Sequence, residues 1–390
     1  MKARKVLPMS DTLPSNARAG DLSGEPLPER LLHRVDRAVS EMRRGAPVVV
    51  HDASGAVLVL AAEAGAPEGA RRLEDLSGHA PLLALSARRA HDLGVAAPER
   101  GDAVMRLELK DPYSAPIDLL ADPCAPGDIA ADAIVDASPG DPLAIRALTL
   151  AKLARLLPAA LLSPLAAAEP VRWADEHALV EISADELRDY RSAAARGLRK
   201  VADARVPLLG AENARVHAFR PPDGGVEHLA IVIGEPRPDE AVLTRVHSEC
   251  FTGDLLGSLR CDCGDQLRGA IASMAEAGAG VLLYLAQEGR GIGLVNKLRA
   301  YRLQDKGADT LEANEALGFD ADERIYEPAG EMLRQLGLNR VRLLTNNPDK
   351  VTALALCGVD VVERVPHHFP SNDHNEQYLS TKARRFGHLY

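Results

Sequence analysis

Aromatic residues are scarce in this chain: one tryptophan, seven tyrosines and five phenylalanines among 390 residues. Aliphatic side chains and alanine must therefore fill its cores. Long hydrophobic runs are missing too, and no stretch approaches the roughly eighteen apolar residues of a membrane span. From Met1 to about Glu29 proline, serine, glycine and charges interrupt every apolar run, so a loose tail is expected there and not a signal peptide. An excess of positive charge is also absent. The formal net charge of −10 speaks against nonspecific nucleic-acid or membrane binding, which favours a basic surface. Five cysteines, an odd number, argue against a disulfide framework and point to a reducing, cytoplasmic setting.

What is present is concentrated. Three of the five cysteines, Cys250, Cys261 and Cys263, fall within fourteen residues. If the segment is extended, Cys261 and Cys263 point to the same side, and Cys250 supplies a third sulfur. Three thiolates with no fourth Cys or His at ligand spacing read as a zinc site with one position left for water or substrate, the pattern of a catalytic metal. The competing reading is three buried or free cysteines. Downstream, Val281–Ala286 reads as a buried strand, Gln287-Glu-Gly-Arg-Gly-Ile-Gly293 as a tight glycine turn, and Leu294 onward as a helix with Leu294, Leu298 and Tyr301 on one stripe. A strand, a glycine turn and a helix start together can offer free backbone N–H groups to an anion. Arg290 and Lys297 add positive charge there, and seven basic against seven acidic residues from Arg245 to Asp305 leave the region locally neutral.

These residues carry a family resemblance. The runs RVHSECFTGDLLGSLRCDCGDQL, QEGRGIGLVNKLRAYRLQDKGADTLEANEALGFDADER and RLLTNNPDK are similar to GTP cyclohydrolase II, over roughly Val206 to Tyr390. The resemblance implies zinc-dependent opening of the guanine ring of GTP, with release of formate and pyrophosphate to give 2,5-diamino-6-(5-phosphoribosylamino)pyrimidin-4(3H)-one, the first step toward riboflavin. It implies one Zn2+ per chain on the three cysteines and Mg2+ with the GTP phosphates. It also implies Tyr301 as the group acting at the ring nitrogen, Asp322 as proton acceptor and Arg324 as nucleophile on the α-phosphorus. Arg245, Gln266, Glu288, Gly289, Arg290, Thr310, Thr345 and Lys350 match its GTP-contacting positions. A guanidinium has no free lone pair, so a charge clamp is the competing role for Arg324. A homodimer is expected, with no nucleic-acid or membrane partner. Two other functions stay open: a paralogue in another pathway, and a zinc-stabilised nucleotide sensor without turnover.

The first half resembles 3,4-dihydroxy-2-butanone 4-phosphate synthase in Val-Leu-Val-Leu-Ala-Ala-Glu63 and in Leu-Ala-Leu-Ser-Ala-Arg-Arg-Ala-His-Asp-Leu-Gly94. That family's acidic loop after the first strand is reduced here to His51-Asp-Ala-Ser-Gly55, and one carboxylate cannot hold magnesium. A degenerate, inactive domain kept as scaffold or dimerisation surface is the expectation, with His51 as a solvent-facing turn residue or a surviving acid/base partner of Asp52.

The expected architecture is α/β, mixed α+β, in two domains that are each a mixed sheet with packed helices. The divisions are a tail at 1–29, the synthase-like domain at 30–166, a helical connection at 167–205 and the catalytic domain at 206–390. Helices are expected at Leu31–Arg44, Leu148–Leu162, from the Ser183-Ala-Asp-Glu186 capping box to Leu198, and at Glu331–Leu336. Strands are expected at 47–50, 56–60, 230–233, 341–344 and 359–365. His367, His368, Asp373 and His374 read as a solvated polar loop and not a metal cluster.

Overall fold

The computed structural model describes residues 27–65, 68–96, 103–127, 131–370, 373 and 385. Most of the expected tail lies outside them. The first helix, Leu27–Arg43, begins inside that tail.

Seven strands build a first sheet: β1 (Val48–Asp52), β2 (Gly55–Ala61), β3 (Leu82–Ser86), β4 (Val104–Leu109), β5 (Ile134–Pro139), β6 (Ala159–Leu165) and β7 (Val180–Ser183). Their order is β5-β4-β3-β6-β2-β1-β7, antiparallel except where β7 lies parallel to β1. Both faces are covered. Val48 and Val50 join one core with Leu27–Arg43 and the helix Pro142–Leu153, while Val49 joins the other, as the period of two requires. Trp173 stacks on His177 with ring centroids 3.9 Å apart.

The helix expected at Leu148–Leu162 runs instead from Pro142 to Leu153. Asp141 caps it, accepting from the Ala144 N–H at 2.9 Å, and a proline in the first turn needs no N–H partner. Arg155 then turns left-handed at φ 58°, and Ala159–Leu165 becomes a central strand. The Ser183/Glu186 capping box forms as expected. Its helix, Ala184–Arg196, buries Leu187 in the first half's core, and the following Leu198 enters a core of the second half. Within 167–205 the chain therefore supplies helices and also two strands, β7 and the first strand of the second sheet.

That second sheet contains β8 (Arg199–Arg205), β9 (Ala214–Arg220), β10 (His228–Ile233), β11 (Val242–Ser248), β12 (Gly280–Leu285), β13 (Arg340–Leu344) and β14 (Asp360–Val365). Its order is β14-β13-β11-β12-β10-β9-β8. β12, β11, β13 and β14 run parallel, and β10, β9 and β8 are antiparallel. The carboxyl ends of β11, β12 and β13 thus open on one edge, where ligands of open parallel sheets bind. Among the described residues no helix is long and apolar enough to cross a membrane.

The halves share a small core. Leu157 from the first packs with Ile292, Ala300, Ala313, Leu317 and Phe319 from the second.

Candidate active site

β11 ends at Ser248, and Cys250 follows at the mouth of the sheet. A short wide helical turn, Phe251–Leu255, then brings the chain back to Cys261 and to Cys263, the first residue of the helix Cys263–Glu276. The two later cysteines meet across a loop and a helix start, not along the extended segment the spacing suggested. All three sulfurs lie within 4.8 Å of one another, and Cys250 Sγ is 3.8 Å from Cys261 Sγ. Two sulfurs about 2.3 Å from a tetrahedral ion would be separated by roughly that distance. Gly253 backs the triad, since a Cβ there would meet Cys261 Sγ at 2.8 Å and Cys250 Sγ at 3.1 Å. The donor set fits a thiophilic metal.

Ionised groups surround the triad. Lys297 Nζ donates to Cys250 Sγ at 3.0 Å, to Thr252 Oγ1 at 2.9 Å and to Glu288 Oε1 at 2.9 Å. Hydrogen bonds from Cys261 and Cys263, together with the Lys297 ammonium, push the Cys250 thiol's pKa down. Burial works against charge on Lys297, but Cys250, Tyr301 and Glu288 together outweigh it and raise the ammonium's pKa. Glu288 fixes the adjoining backbone, accepting from the N–H groups of Phe251 at 2.6 Å and Gly289 at 2.7 Å. Asp254 ties three elements together, accepting from the Cys250 N–H at 2.9 Å and the Tyr284 hydroxyl at 3.0 Å, with His247 Nε2 at 3.1 Å.

The glycine turn follows β12. Gly289 and Arg290 are both left-handed at φ 62°, a conformation costly for arginine. Within the turn itself the N–H groups of Gly289, Gly291 and Gly293 donate to Glu288 Oε1, Gln287 O and Glu288 O, which leaves the uncapped start of the helix Leu294–Gln304 as the part of this segment whose backbone N–H groups can face an anion. The apolar stripe expected on Leu294–Gln304 also differs. Leu298 is exposed, and the helix buries Asn296, Lys297 and Ala300, because its inner face serves polar partners. Tyr301 carries the Arg260 guanidinium 4.4 Å from its ring centroid, and burial raises its pKa.

One pocket is lined by Arg245, Cys250, Cys261, Cys263, Gln266, Glu288, Gly289, Arg290, Tyr301, Thr310, Arg324, Thr345 and Lys350. Asp322 does not line it but lies behind Arg324, whose Nε donates to Asp322 Oδ1 at 2.8 Å and whose Nη2 donates to Oδ2. Burial pushes the Asp322 pKa up, and the paired guanidinium more than reverses this, leaving it lowered. Arg245 is buried, donating to Leu344 O at 3.1 Å and to Gln266 Oε1, and burial brings its pKa down to about 10. Gln266 in turn donates to Asp262. Thr310 opens the helix Thr310–Ala316, capped by Asp309. Thr345 Oγ1 accepts from the Asn347 N–H at 3.1 Å. Lys350 Nζ reaches Val246 O at 3.1 Å.

His367 was expected in a solvated loop and is instead buried in the pocket wall. Its Nε2 lies 2.8 Å from Gln266 O, and Asn346 exchanges two hydrogen bonds with its backbone at 2.7 and 2.8 Å. The polar composition of 366–374 hid this, since only the register after β14 turns the ring inward. His374 lies outside the described residues. Two further residues of the site are His247, which the alternation with Arg245 along β11 could have aimed there, and Asp254 in the turn Phe251–Leu255, for which the sequence offers no such signal. In the first half, His51 sits in β1 and not in a solvent-facing turn. Its Nε2 is 2.9 Å from Glu181 Oε2, while Asp52 binds its own turn at Ser54.

Three thiols that could hold a metal and a set of cations line one pocket at the carboxyl edge of parallel strands, an arrangement that fits a metal-assisted enzyme with an anionic substrate. The particular family comes from comparison. Residues 199–366 match the family model described as GTP cyclohydrolase II. A GTP cyclohydrolase-2 of Azospirillum brasilense is 53% identical over 371 residues, covering 94% of this chain and 96% of that one. One from Shewanella baltica (strain OS185) is 56% identical over 174 residues, 45% of this chain and 85% of its own. A solved two-domain 3,4-dihydroxy-2-butanone 4-phosphate synthase from A. baumannii aligns over 86% of this chain and all of its own, with a TM-score of 0.34 and 17% identity. The chain belongs to the GTP cyclohydrolase II family, and it is an enzyme of riboflavin biosynthesis.

Proposed function

We propose that the pocket binds GTP and that water adds twice at carbon 8 of the guanine, opening the imidazole ring and releasing formate. A third water attacks the α-phosphorus and breaks its bond to the bridging oxygen, so that pyrophosphate leaves and 2,5-diamino-6-(5-phosphoribosylamino)pyrimidin-4(3H)-one remains. The observation that carries this reading is the single cavity shared by the thiol triad and by Arg290, Arg324 and Lys350. Cys250, Cys261 and Cys263 would hold zinc, which when bound polarises water toward hydroxide near neutral pH.

The chain's own groups do the rest. Tyr301, kept neutral by burial, can hold or deliver a proton at the ring nitrogen. Lys297 offsets part of the thiolate charge that would otherwise weaken a metal's pull on water. Arg245 and Gln266 brace each other, leaving the rest of the Gln266 amide to read the base edge. Arg290, Lys350, Thr310 and Thr345 would meet the phosphates, and Mg2+ would enter with them to offset their charge.

Arg324 acts in this reading as a clamp on the α-phosphate. A carboxylate lowered by a two-point bond from that guanidinium is a weak proton acceptor, so Asp322 orients Arg324 more readily than it deprotonates it. The nucleophile role requires the reverse. We also assign the chain a homodimeric state, supported by the exposed apolar residues Phe251, Leu255, Leu256 and Leu259 beside the site. The first half is taken as a degenerate synthase-like scaffold. Incubation of the purified protein with GTP, assayed for formate and pyrophosphate, tests the central reading. Absence of formate from zinc-loaded protein overturns it.

A further inference from the structure

We propose that the first half positions the catalytic helix, and that Arg155 is the residue through which it does so. This rests on the reading of Tyr301 as a group that acts on the substrate.

Arg155 follows the helix Pro142–Leu153 at the position where a chain leaves a helix left-handed, and glycine is the residue that fits there. Its φ is 58°, with its N–H donating to Lys152 O at 2.9 Å. An arginine in this conformation is strained relative to glycine, so its side chain must return something for the strain to be kept. It crosses to the second half, where Nη2 donates to Ala286 O at 3.2 Å, immediately after β12 and before the glycine turn. Its carbonyl accepts from Asn296 Nδ2 at 3.1 Å. Its stem lies against Gly293, where a Cβ would stand 3.3 Å from Arg155 Cβ and Cδ.

Asn296 explains why this matters to the chemistry. It is fully buried, and its amide is used on every side: Nδ2 also donates to Ile292 O at 3.0 Å, and Oδ1 accepts from Arg299 Nη1 at 2.9 Å. Arg299 is in turn held by Glu63 at 3.0 Å and Asp122 at 2.9 Å, both in the first half. Asn296 precedes Lys297, and Tyr301 stands one turn further along the same helix. Fixing the helix at Asn296 from behind fixes where Lys297 and Tyr301 stand in front. A displacement of about 1 Å at a reacting group can cost up to a hundredfold in rate.

The test exploits the glycine preference. Arg155→Gly keeps the carbonyl that binds Asn296 but removes the stem against Gly293 at the start of the helix and the bond to Ala286 O; because it also relieves the backbone, its melting temperature should equal or exceed that of the parent, with zinc content unchanged. The expected result is a fall in kcat of about tenfold or more, with KM for GTP within about threefold and partial recovery in Arg155→Lys. Amide hydrogen exchange provides a readout independent of turnover, and the helix Leu294–Gln304 should exchange about tenfold faster in Arg155→Gly while β1 to β3 do not change. Failure of the parent protein to release formate would sink the functional reading alone. Unchanged exchange in that helix, or a kcat loss that follows a lowered melting temperature or lost zinc, would overturn the positioning role.

Discussion

The Lys297 ammonium lies 3.0 Å from Cys250 Sγ, so the cysteine at the head of the triad faces a buried cation that is also bound to Glu288. Replacing Lys297 by Met leaves a buried carboxylate and a thiolate without their common partner, a loss of about 3 kcal/mol for a buried pair. Lys297→Met should unfold at lower urea concentration and release zinc to a chelator faster than the parent. Equal chelator kinetics would deny the lysine its part in the metal site.

Cys261→Ser should purify with little zinc, since two thiolates hold the ion poorly against water. Metal analysis checks this, and full occupancy in the variant would remove these cysteines as the site.

The two ends of the substrate should fail separately. Cys250→Ser is expected to release pyrophosphate from GTP with no formate and the guanine ring intact. For Arg324→Ala, the clamp reading expects some formate, with the triphosphate still attached to the opened product, whereas a covalent role expects neither activity. Mass spectrometry of the reaction mixture distinguishes the outcomes. Ring opening by zinc-free Cys250→Ser would contradict the chemistry proposed here.

His367 makes the fold sensitive to acid. Burial, with Arg245 nearby, brings its folded pKa down to about 4, against about 6.5 unfolded. The unfolded chain therefore binds the proton more readily. The stability this represents is complete above about pH 6.5 and is lost as pH falls toward 4, on the order of 3 kcal/mol in full. The melting temperature of His367→Gln should fall less between pH 7 and pH 4.5 than that of the parent, and parallel curves would refute this.

No dihydroxybutanone phosphate should form from ribulose 5-phosphate. His51 is committed to Glu181, which Arg34 also binds, and the loop after β1 offers only Asp52. Product above that of heat-inactivated protein would restore the activity to this half.

The strands of the second sheet are most legible where an apolar run is uninterrupted, as at β12 and at 230–233 of β10. β11 was not recognised, because Arg245, His247 and Ser248 are polar residues in a buried strand, present for the site and not for the core. The helix before β6 was set too late for a related reason. Alanine and leucine run through 148–162 without a change of period, and the boundary depends on Asp141, on Arg155 and on pairing to β2 and β3. The cysteine triad is legible from spacing alone, although its sulfurs meet across a loop and a helix start and not along an extended segment. Lys297 was seen only as nearby charge, and its three partners come from three separate segments. His367 could not be separated from its polar neighbours without the register that follows β14.

The single tryptophan gives this chain an uneven set of optical reporters. Trp173 lies in the first half, stacked on His177, and the catalytic sheet has no counterpart. Intrinsic tryptophan emission therefore follows melting of the first half alone, while circular dichroism follows both. Comparing the two transitions measures how far the shared core around Leu157 makes the halves unfold as one cooperative unit.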